Sequence, residues 1–307
     1  MAEALSRPLR IGTRGSPLAL AQARMVADAL KAAHGWGDEA IEIVPIVTSG
    51  DVIQDRPLSE VGGKALWTKE LDRCLLDRRT DISVHSMKDV ETFRPVALAI
   101  AAMLPRADVR DRLIGAASID ALPRGARVGT SSPRRSAQLL CRRPDLAIIA
   151  FRGNVATRLA KLERGEADAT LLAAAGLDRL GRAEIGAAID DMLPAPSQGA
   201  VGIEVHADDA TMRALVAAID HEPSHIGVSA ERRLLEALGG DCRSPVAALA
   251  QMQGGLIRLR AEILATDGSD VERGEAEFSP GDDDAPAELA RQLLDRAAPA
   301  LRALFAG

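Results

Sequence analysis

The chain has 307 residues, of which 47% are hydrophobic and 27% charged, with a formal net charge of −6, the composition of a globular protein with room for two or three domains. The negative balance, 2% aromatic residues and no tyrosine leave few platforms on which bases could stack, which argues against a nucleic-acid partner. No window approaches the roughly 18 uninterrupted apolar residues of a membrane span, and the charged N-terminal MAEALSRPLR is followed by no apolar run, so a soluble, cytoplasmic, unexported protein is expected.

Residues 9–13 read as a short buried strand. Ser16 then caps a helix whose first position is Pro17 and whose apolar residues recur at helical spacing to about residue 33. β-Branched content marks a second strand over 41–47, and 81–84 and 96–101 read as others. Residues 48–64 form a long polar segment ending in Gly62-Gly63-Lys64, a loop length that in compact proteins usually serves function. Leu71, Cys74 and Leu75 share a helical face, which makes Cys74 a core residue.

The pattern then restarts. A strand over 126–130 is followed by the N-cap Ser132, Pro133 and a helix to about 140. Next come a strand over 146–151, a helix over 155–164 and a strand over 169–172. Ser16-Pro17 and Ser132-Pro133 each open the form S-P-x-x-x-A-Q after a strand ending in Gly-Thr, so the two stretches are expected to be structural duplicates. Beyond Gln198-Gly199, 201–205 reads as a strand and 226–238 as an amphipathic helix. The runs 246–251, 256–266 and 272–278 look like an antiparallel sheet, and 285–305 like a closing helix.

The expected fold is therefore α/β with three domains. Two are similar, doubly wound mixed-sheet domains, and a smaller C-terminal α+β domain carries an antiparallel sheet. The boundaries are set at 1–104 with 200–222, 105–199, and 223–307. Ligands of such sheets bind at strand C-terminal ends.

Three cysteines, an odd number, fit free thiols better than a disulfide framework. Cys141 follows Leu139 and Leu140 near a helix end and reads as structural. Cys242 lies in Gly239-Gly240-Asp241-Cys242-Arg243-Ser244-Pro245, a turn where a thiol has no packing reason to be, and Arg243 would favour its thiolate. From that segment alone, a small residue filling a loop remains open.

Arginine or an anion-binding turn recurs at strand ends: Thr13-Arg14-Gly15-Ser16, Ser131-Ser132-Pro133-Arg134-Arg135, Arg152-Gly153-Asn154 with Arg158 one helical turn on, and Arg179. Free N–H groups at helix starts together with guanidinium forks suit a polyanionic ligand. Single arginines are commonly solvated charges; their recurrence at one topological position is what carries the inference. With no Walker loop or G-x-G-x-x-G run, nucleotide phosphates are not the favoured anions. Only five of the 38 basic residues are lysines, which draws attention to Lys64 and Lys88 inside distinctive motifs. Lys88-Asp89 follows the strand ending Val84-His85-Ser86. The carboxylate could stabilise a cation on a substrate or move a proton, though such dipeptides also serve as plain turn caps. No H-E-x-x-H or C-x-x-C pattern occurs, so no metal is expected, and His85 reads as supporting structure.

Together these segments resemble the porphobilinogen deaminases, also called hydroxymethylbilane synthases. The resemblance covers most of the chain: residues 10–20, Gly62-Gly63-Lys64, Val84 to Val90, Val128 to Arg135, Arg152-Gly153-Asn154-Val155, Gln198 to Glu204, and the Cys242 turn. It implies a two-domain cleft like that of periplasmic binding proteins, and a transferase that joins four porphobilinogen units head to tail, releases ammonia at each step and hydrolyses the product free as hydroxymethylbilane. It implies a dipyrromethane cofactor held by a thioether at Cys242, and Asp89 as the essential carboxylate beside the pyrrole nitrogens. Arg14, Arg134, Arg135, Arg152, Arg158 and Arg179 would bind the acetate and propionate groups. Ser16, Lys88, Thr130, Ser132, Asn154 and Gln198 would contribute to the cleft, and Lys64 would sit on an active-site loop over roughly 48–67. The family is generally monomeric.

The chain departs from the family pattern at Glu91, where Pro is usual, and at Ser197, where Gly is common. Pro133 and Asp241 are also unusual. These positions are expected to alter local turn geometry, and Asp241 to oppose the thiolate. Two other readings compete. A non-enzymatic two-domain binder of a polycarboxylate would need neither Cys242 nor Asp89. A cysteine hydrolase pairing Cys242 with His221 or His225 has no distinctive partner motif.

Overall fold

The computed structural model describes residues 7–47 and 68–305. The chain divides into two compact units, Met1–Arg106 with Ala200–His225, and Ala107–Gly199 with Ile226–Gly307. The loop expected over 48–64, with Lys64, lies outside the described residues.

In the first unit, five strands form one sheet in the order Ile41–Ile46, Leu9–Arg14, Ile82–Ser86, Val201–His206, Leu98–Met103. The first three are parallel, with Ile11 opposite both Ile43 and Ile82; Val201–His206 runs antiparallel to both neighbours. A parallel pair needs a crossover, and the helix Pro17–His34 provides it between the first two strands. Ser16 accepts from the Ala19 amide, Pro17 occupies the first turn, and Gly35 ends the helix in the left-handed region. Ala23, Val26, Ala27 and Leu30 pack against Leu9, Ile11, Ile82 and Val84. Truncating a buried leucine such as Leu30 to alanine typically costs about 2–5 kcal/mol. The strands expected at 81–84 and 96–101 run two residues further, to Ser86 and Met103.

The second unit begins with a sheet of the same plan: Ala147–Ile149, Arg127–Gly129, Ala169–Ala173, Asp111–Ile114, Ala187–Ile189. Again the first three are parallel and the fourth is antiparallel to both neighbours. The helix Pro133–Arg142 follows Arg127–Gly129, second in its sheet order, just as Pro17–His34 follows Leu9–Arg14, second in the other, so the repeated S-P-x-x-x-A-Q marks equivalent turns. Asp111–Ile114 and Ala187–Ile189, and the helices Ala174–Arg179 and Ala210–Ala217, were not expected from sequence; each is too short for periodicity to declare it.

The same unit ends in a three-stranded antiparallel sheet, Val246–Gln253, Leu256–Leu264 and Val271–Phe278. Ala248, Ile257, Leu259 and Ile263 on one face meet Leu234 of the helix Glu222–Ala237, Leu238 just after it, and Leu289 and Leu293 of the helix Ala285–Arg296. The helix expected from 226 thus starts at Glu222. The closing helix expected over 285–305 stops at Arg296 and resumes as Pro299–Arg302. Pro299 has no amide hydrogen and its ring would clash with the preceding turn, so the chain becomes extended at Ala297 first.

Candidate active-site residues

The strand Ile82–Ser86 ends in a single 3-10 turn, Met87–Asp89. Met87 anchors it: the side chain is fully buried and fills the space over Gly202, where a Cβ would lie 2.1 Å from the Met87 sulfur. The Met87 amide donates to Ala200 at 3.1 Å, and Val90, also buried, closes the turn on Met87 at 3.2 Å. With its neighbours turned inward, Asp89 is exposed and Lys88 half-buried. Asp89 lines a small recess with Arg14, Ser16, Gln22 and Ser86. Of the residues expected in this unit, the structure therefore brings Arg14, Ser16 and Asp89 together.

Behind that recess lies a buried ionic cluster that sequence reasoning missed. His85 points inward and sits 3.0 Å from Glu204, which is fully buried. Arg94 donates to both Glu204 oxygens at 2.9 Å, to Asp72 at 2.5 Å and to Glu91 at 2.8 Å, and Thr68 donates to Glu91 at 3.0 Å. Burial opposes the Glu204 charge, but His85 and Arg94 outweigh it and hold the pKa at about 2. Asp72 and Glu91 lie above the ordinary carboxylate range because burial outweighs their share of Arg94. Glu91, a departure from the family pattern, thus has a partner in Arg94. Nothing in the local sequence distinguished Arg94 from a surface charge.

In the second unit, Ser132 caps its helix through the Arg135 amide and Pro133 takes the first turn, so the unusual proline fits the geometry it occupies. Arg134 and Arg135, expected as binding residues, follow. Both are buried, at 3% and 5% exposure, and both turn to Asp111 at 2.8 and 2.7 Å. Arg134 also donates to Gln138 and to the Leu193 carbonyl, and Arg135 to the Leu171 carbonyl. Gln198, fully buried, completes the cage by donating to Asp111 at 2.9 Å and to the Val109 carbonyl at 2.7 Å. Burial opposes the Asp111 charge, but the two guanidiniums hold it far below the ordinary carboxylate range. A buried carboxylate demands close cations, and the first turn of Pro133–Arg142 supplies them.

Asn154 is exposed and caps Val155–Glu163 through the Thr157 amide at 2.9 Å, with Arg152 and Arg158 half-buried beside it. Arg158 donates to the Gly153 carbonyl at 3.0 Å. Arg179 donates to the Gly199 carbonyl at 2.7 Å, and its buried Nε has no partner among the described residues. Burial pushes the Arg179 guanidinium below its ordinary value, with Asp178 offsetting only part. Thr130 is buried and bonds the Ser132 amide at 3.2 Å.

Gly239, in the left-handed region, marks the end of the long helix, and the next residues turn sharply. Asp241 accepts from the Arg243 amide at 2.8 Å and its guanidinium at 2.9 Å, and Ser244 bonds back to Asp241. Cys242, at the apex of this turn, is exposed, whereas Cys74 is buried. Arg243, expected to favour the thiolate, is also engaged by the Asp241 carboxylate. Ser197, another departure, adopts φ 66°, a left-handed conformation that glycine takes at no steric cost, and its amide donates to buried Glu231 at 2.6 Å. Among the described residues, no group of His, Cys, Asp and Glu is arranged to hold a metal ion, and no helix is long and apolar enough to cross a membrane.

Residues 9–214 match the family described as porphobilinogen deaminase, dipyromethane cofactor binding domain, and residues 225–297 match the porphobilinogen deaminase C-terminal domain. The porphobilinogen deaminase of Sphingopyxis alaskensis is 59% identical over 97% of each chain. That of Paracoccus denitrificans is 52% identical over 94% of this chain and 95% of its own. The chloroplastic enzyme of Oryza sativa subsp. japonica is 49% identical over 86% of this chain and 76% of its own. With both family domains matched in order and such identity over nearly its whole length, the chain belongs to the porphobilinogen deaminase family.

Proposed function

We propose that this protein is a transferase that condenses four porphobilinogen molecules head to tail, with loss of ammonia at each step, onto a dipyrromethane held by Cys242, and then hydrolyses the chain to hydroxymethylbilane. The observation that carries the reading is the exposed thiol at the apex of the turn after the long helix, in a chain of this family. The residues present suit the cofactor. Cys242 is accessible for a thioether, and the half-buried Arg179 has a guanidinium only partly offset by Asp178, which suits it to carboxylates. When bound, dipyrromethane supplies the pyrrole carbon on which the chain is extended.

The roles of this chain's residues follow from their chemistry. Arg152, Arg158, Arg179 and Arg14 pair with acetate and propionate groups, aided by Ser16, Lys88, Thr130, Ser132 and Asn154. Arg134 and Arg135 act from below, since their charge, only half cancelled by Asp111, makes the helix start at Ser132 more attractive to anions. Gln198 keeps that cage closed. Asp89 stabilises the positive charge that develops as ammonia leaves, and accepts or returns a proton at a pyrrole nitrogen. Lys64 screens substrate charge. The reading includes a monomeric, cytoplasmic enzyme and a division into 1–104 with 200–222, 105–199 and 223–307.

Intact mass spectrometry tests it. Wild type should exceed its sequence mass by one dipyrromethane and show discrete further additions with porphobilinogen; Cys242→Ser should show the bare mass. Asp89→Ala should keep the added mass and lose turnover by about 10²-fold or more, the range for a group acting in proton transfer. Active enzyme with no added mass would overturn the assignment of Cys242, and near-normal rates in Asp89→Ala that of Asp89.

A further inference from the structure

The second unit also contains a cavity of about 500 Å3, within the size range of small-molecule sites. It shares no residue with those assigned above. One wall is the outer face of the C-terminal sheet: along Leu256–Leu264, Ile257, Leu259 and Ile263 enter the core, so the alternate residues Arg258, Arg260 and Glu262 project from the other face. The facing wall is apolar, built from Val109, Met192, Leu193 and Pro194.

All but one of the charges around this cavity are compensated. Arg110 is held by Asp108 and Asp190, each at 2.7 Å. Asp191 pairs with Arg142. Glu262 accepts from Arg273 at 2.8 Å, and Glu275 from Arg258 at 2.7 Å. Arg260 is half-buried in the wall and makes no hydrogen bond or ion pair with any described residue. Its neighbours across the sheet are Leu249, which is apolar, and Glu275, which Arg258 already engages.

A guanidinium partly withdrawn from water, with its charge unmatched, gains two parallel hydrogen bonds from an incoming carboxylate. A second carboxylate on the same ligand would face Asp190, Asp191 and Glu262 and be repelled. We propose that this cavity is a second ligand site, taking a small monocarboxylate with an apolar or aromatic body, its carboxylate on Arg260 and its body against Met192, Leu193 and Leu249. The proposal stands independently of the function assigned to Cys242 and Asp89.

Titrating the cofactor-loaded protein with 3-phenylpropionate, followed by calorimetry or ligand-observed NMR, tests it. The acid should bind with a Kd on the order of millimolar, as expected for a ligand of this size. The uncharged 3-phenylpropionamide and the dicarboxylate phenylsuccinate should each bind at least about tenfold more weakly. Arg260→Gln, on an outward face, should weaken the acid by a similar factor while leaving the thermal midpoint and deaminase activity unchanged. Met192→Glu, which keeps Arg260 but puts a negative charge in the apolar wall, should do the same. Acid binding unaffected by Arg260→Gln would place the probe elsewhere and overturn the proposal. So would equal affinity for acid and amide, or no acid binding at about 10 mM, well above the expected Kd.

Discussion

The two five-stranded sheets share a strand order and a strand-to-helix turn, yet they bury charge with opposite polarity. In the first, one arginine, Arg94, is surrounded by Glu204, Asp72 and Glu91. In the second, one carboxylate, Asp111, is surrounded by Arg134, Arg135 and Gln198. The first cluster carries excess negative charge unless its outer acids, Asp72 and Glu91, take up protons; the second keeps a positive excess at any ordinary pH. A duplicated backbone therefore does not fix the sign of what it buries. Each copy needs its own central counter-ion, because desolvating like charges without one is costly.

The largest effect should come from removing that centre where no proton can relieve it. Asp111→Ala leaves two buried arginines side by side, and arginine does not deprotonate in proteins, so a loss of about 3–5 kcal/mol in denaturant unfolding is expected. A loss under about 1 kcal/mol would show that the guanidiniums had found other partners, and the proposed polarity would fail. Arg94→Met should cost less, about 2–3 kcal/mol at neutral pH, because Asp72 and Glu91 can take up protons, and the loss should shrink as pH falls. A loss that stays constant from pH 7 to 5 would contradict this.

Acid sensitivity sharpens the contrast. Glu204 titrates lower in the folded chain than unfolded, so its contribution is present above an unfolded pKa of about 4.3 and is lost as pH falls towards the folded value. Asp72 and Glu91, raised on folding, act in the opposite sense and offset part of it. Glu204→Gln should therefore flatten the fall of stability below pH 4.5 by no more than roughly 3 kcal/mol. An unchanged acid limb would remove Glu204 from the account. The smallest effect concerns Ser197: Ser197→Gly should raise stability by about 0.5–1 kcal/mol by relieving the left-handed backbone.

The sequence announced those parts of the molecule that depend on local chemistry. Ser16-Pro17 and Ser132-Pro133 revealed both strand-to-helix turns because N-caps act within three residues. The Cys242 turn was legible because glycines and a proline flank an exposed thiol. The Asp111 cage and the Arg94 cluster were not legible. Their members are separated by 87 positions between Asp111 and Gln198, and by 110 between Arg94 and Glu204, so only tertiary structure unites them. Arg134 and Arg135 were legible as cations at a helix start, but their pairing was not: the carboxylate they meet lies on a four-residue strand with no periodic signal.

The two hairpin tips of the C-terminal sheet imply different freedom for the chain to lengthen. At Gly268 a Cβ would lie 2.3 Å from the Cys141 backbone nitrogen, so this tip is seated against the end of the helix carrying Arg134 and Arg135 and has no space for even one methyl group. At Gly254 and Gly255 nothing stands within 4 Å of the corresponding position. Extra residues, a peptide tag or a fluorescent fusion can be spliced in there while the sheet keeps its register. The same graft at the other tip would prise the sheet from the helix that carries the paired arginines.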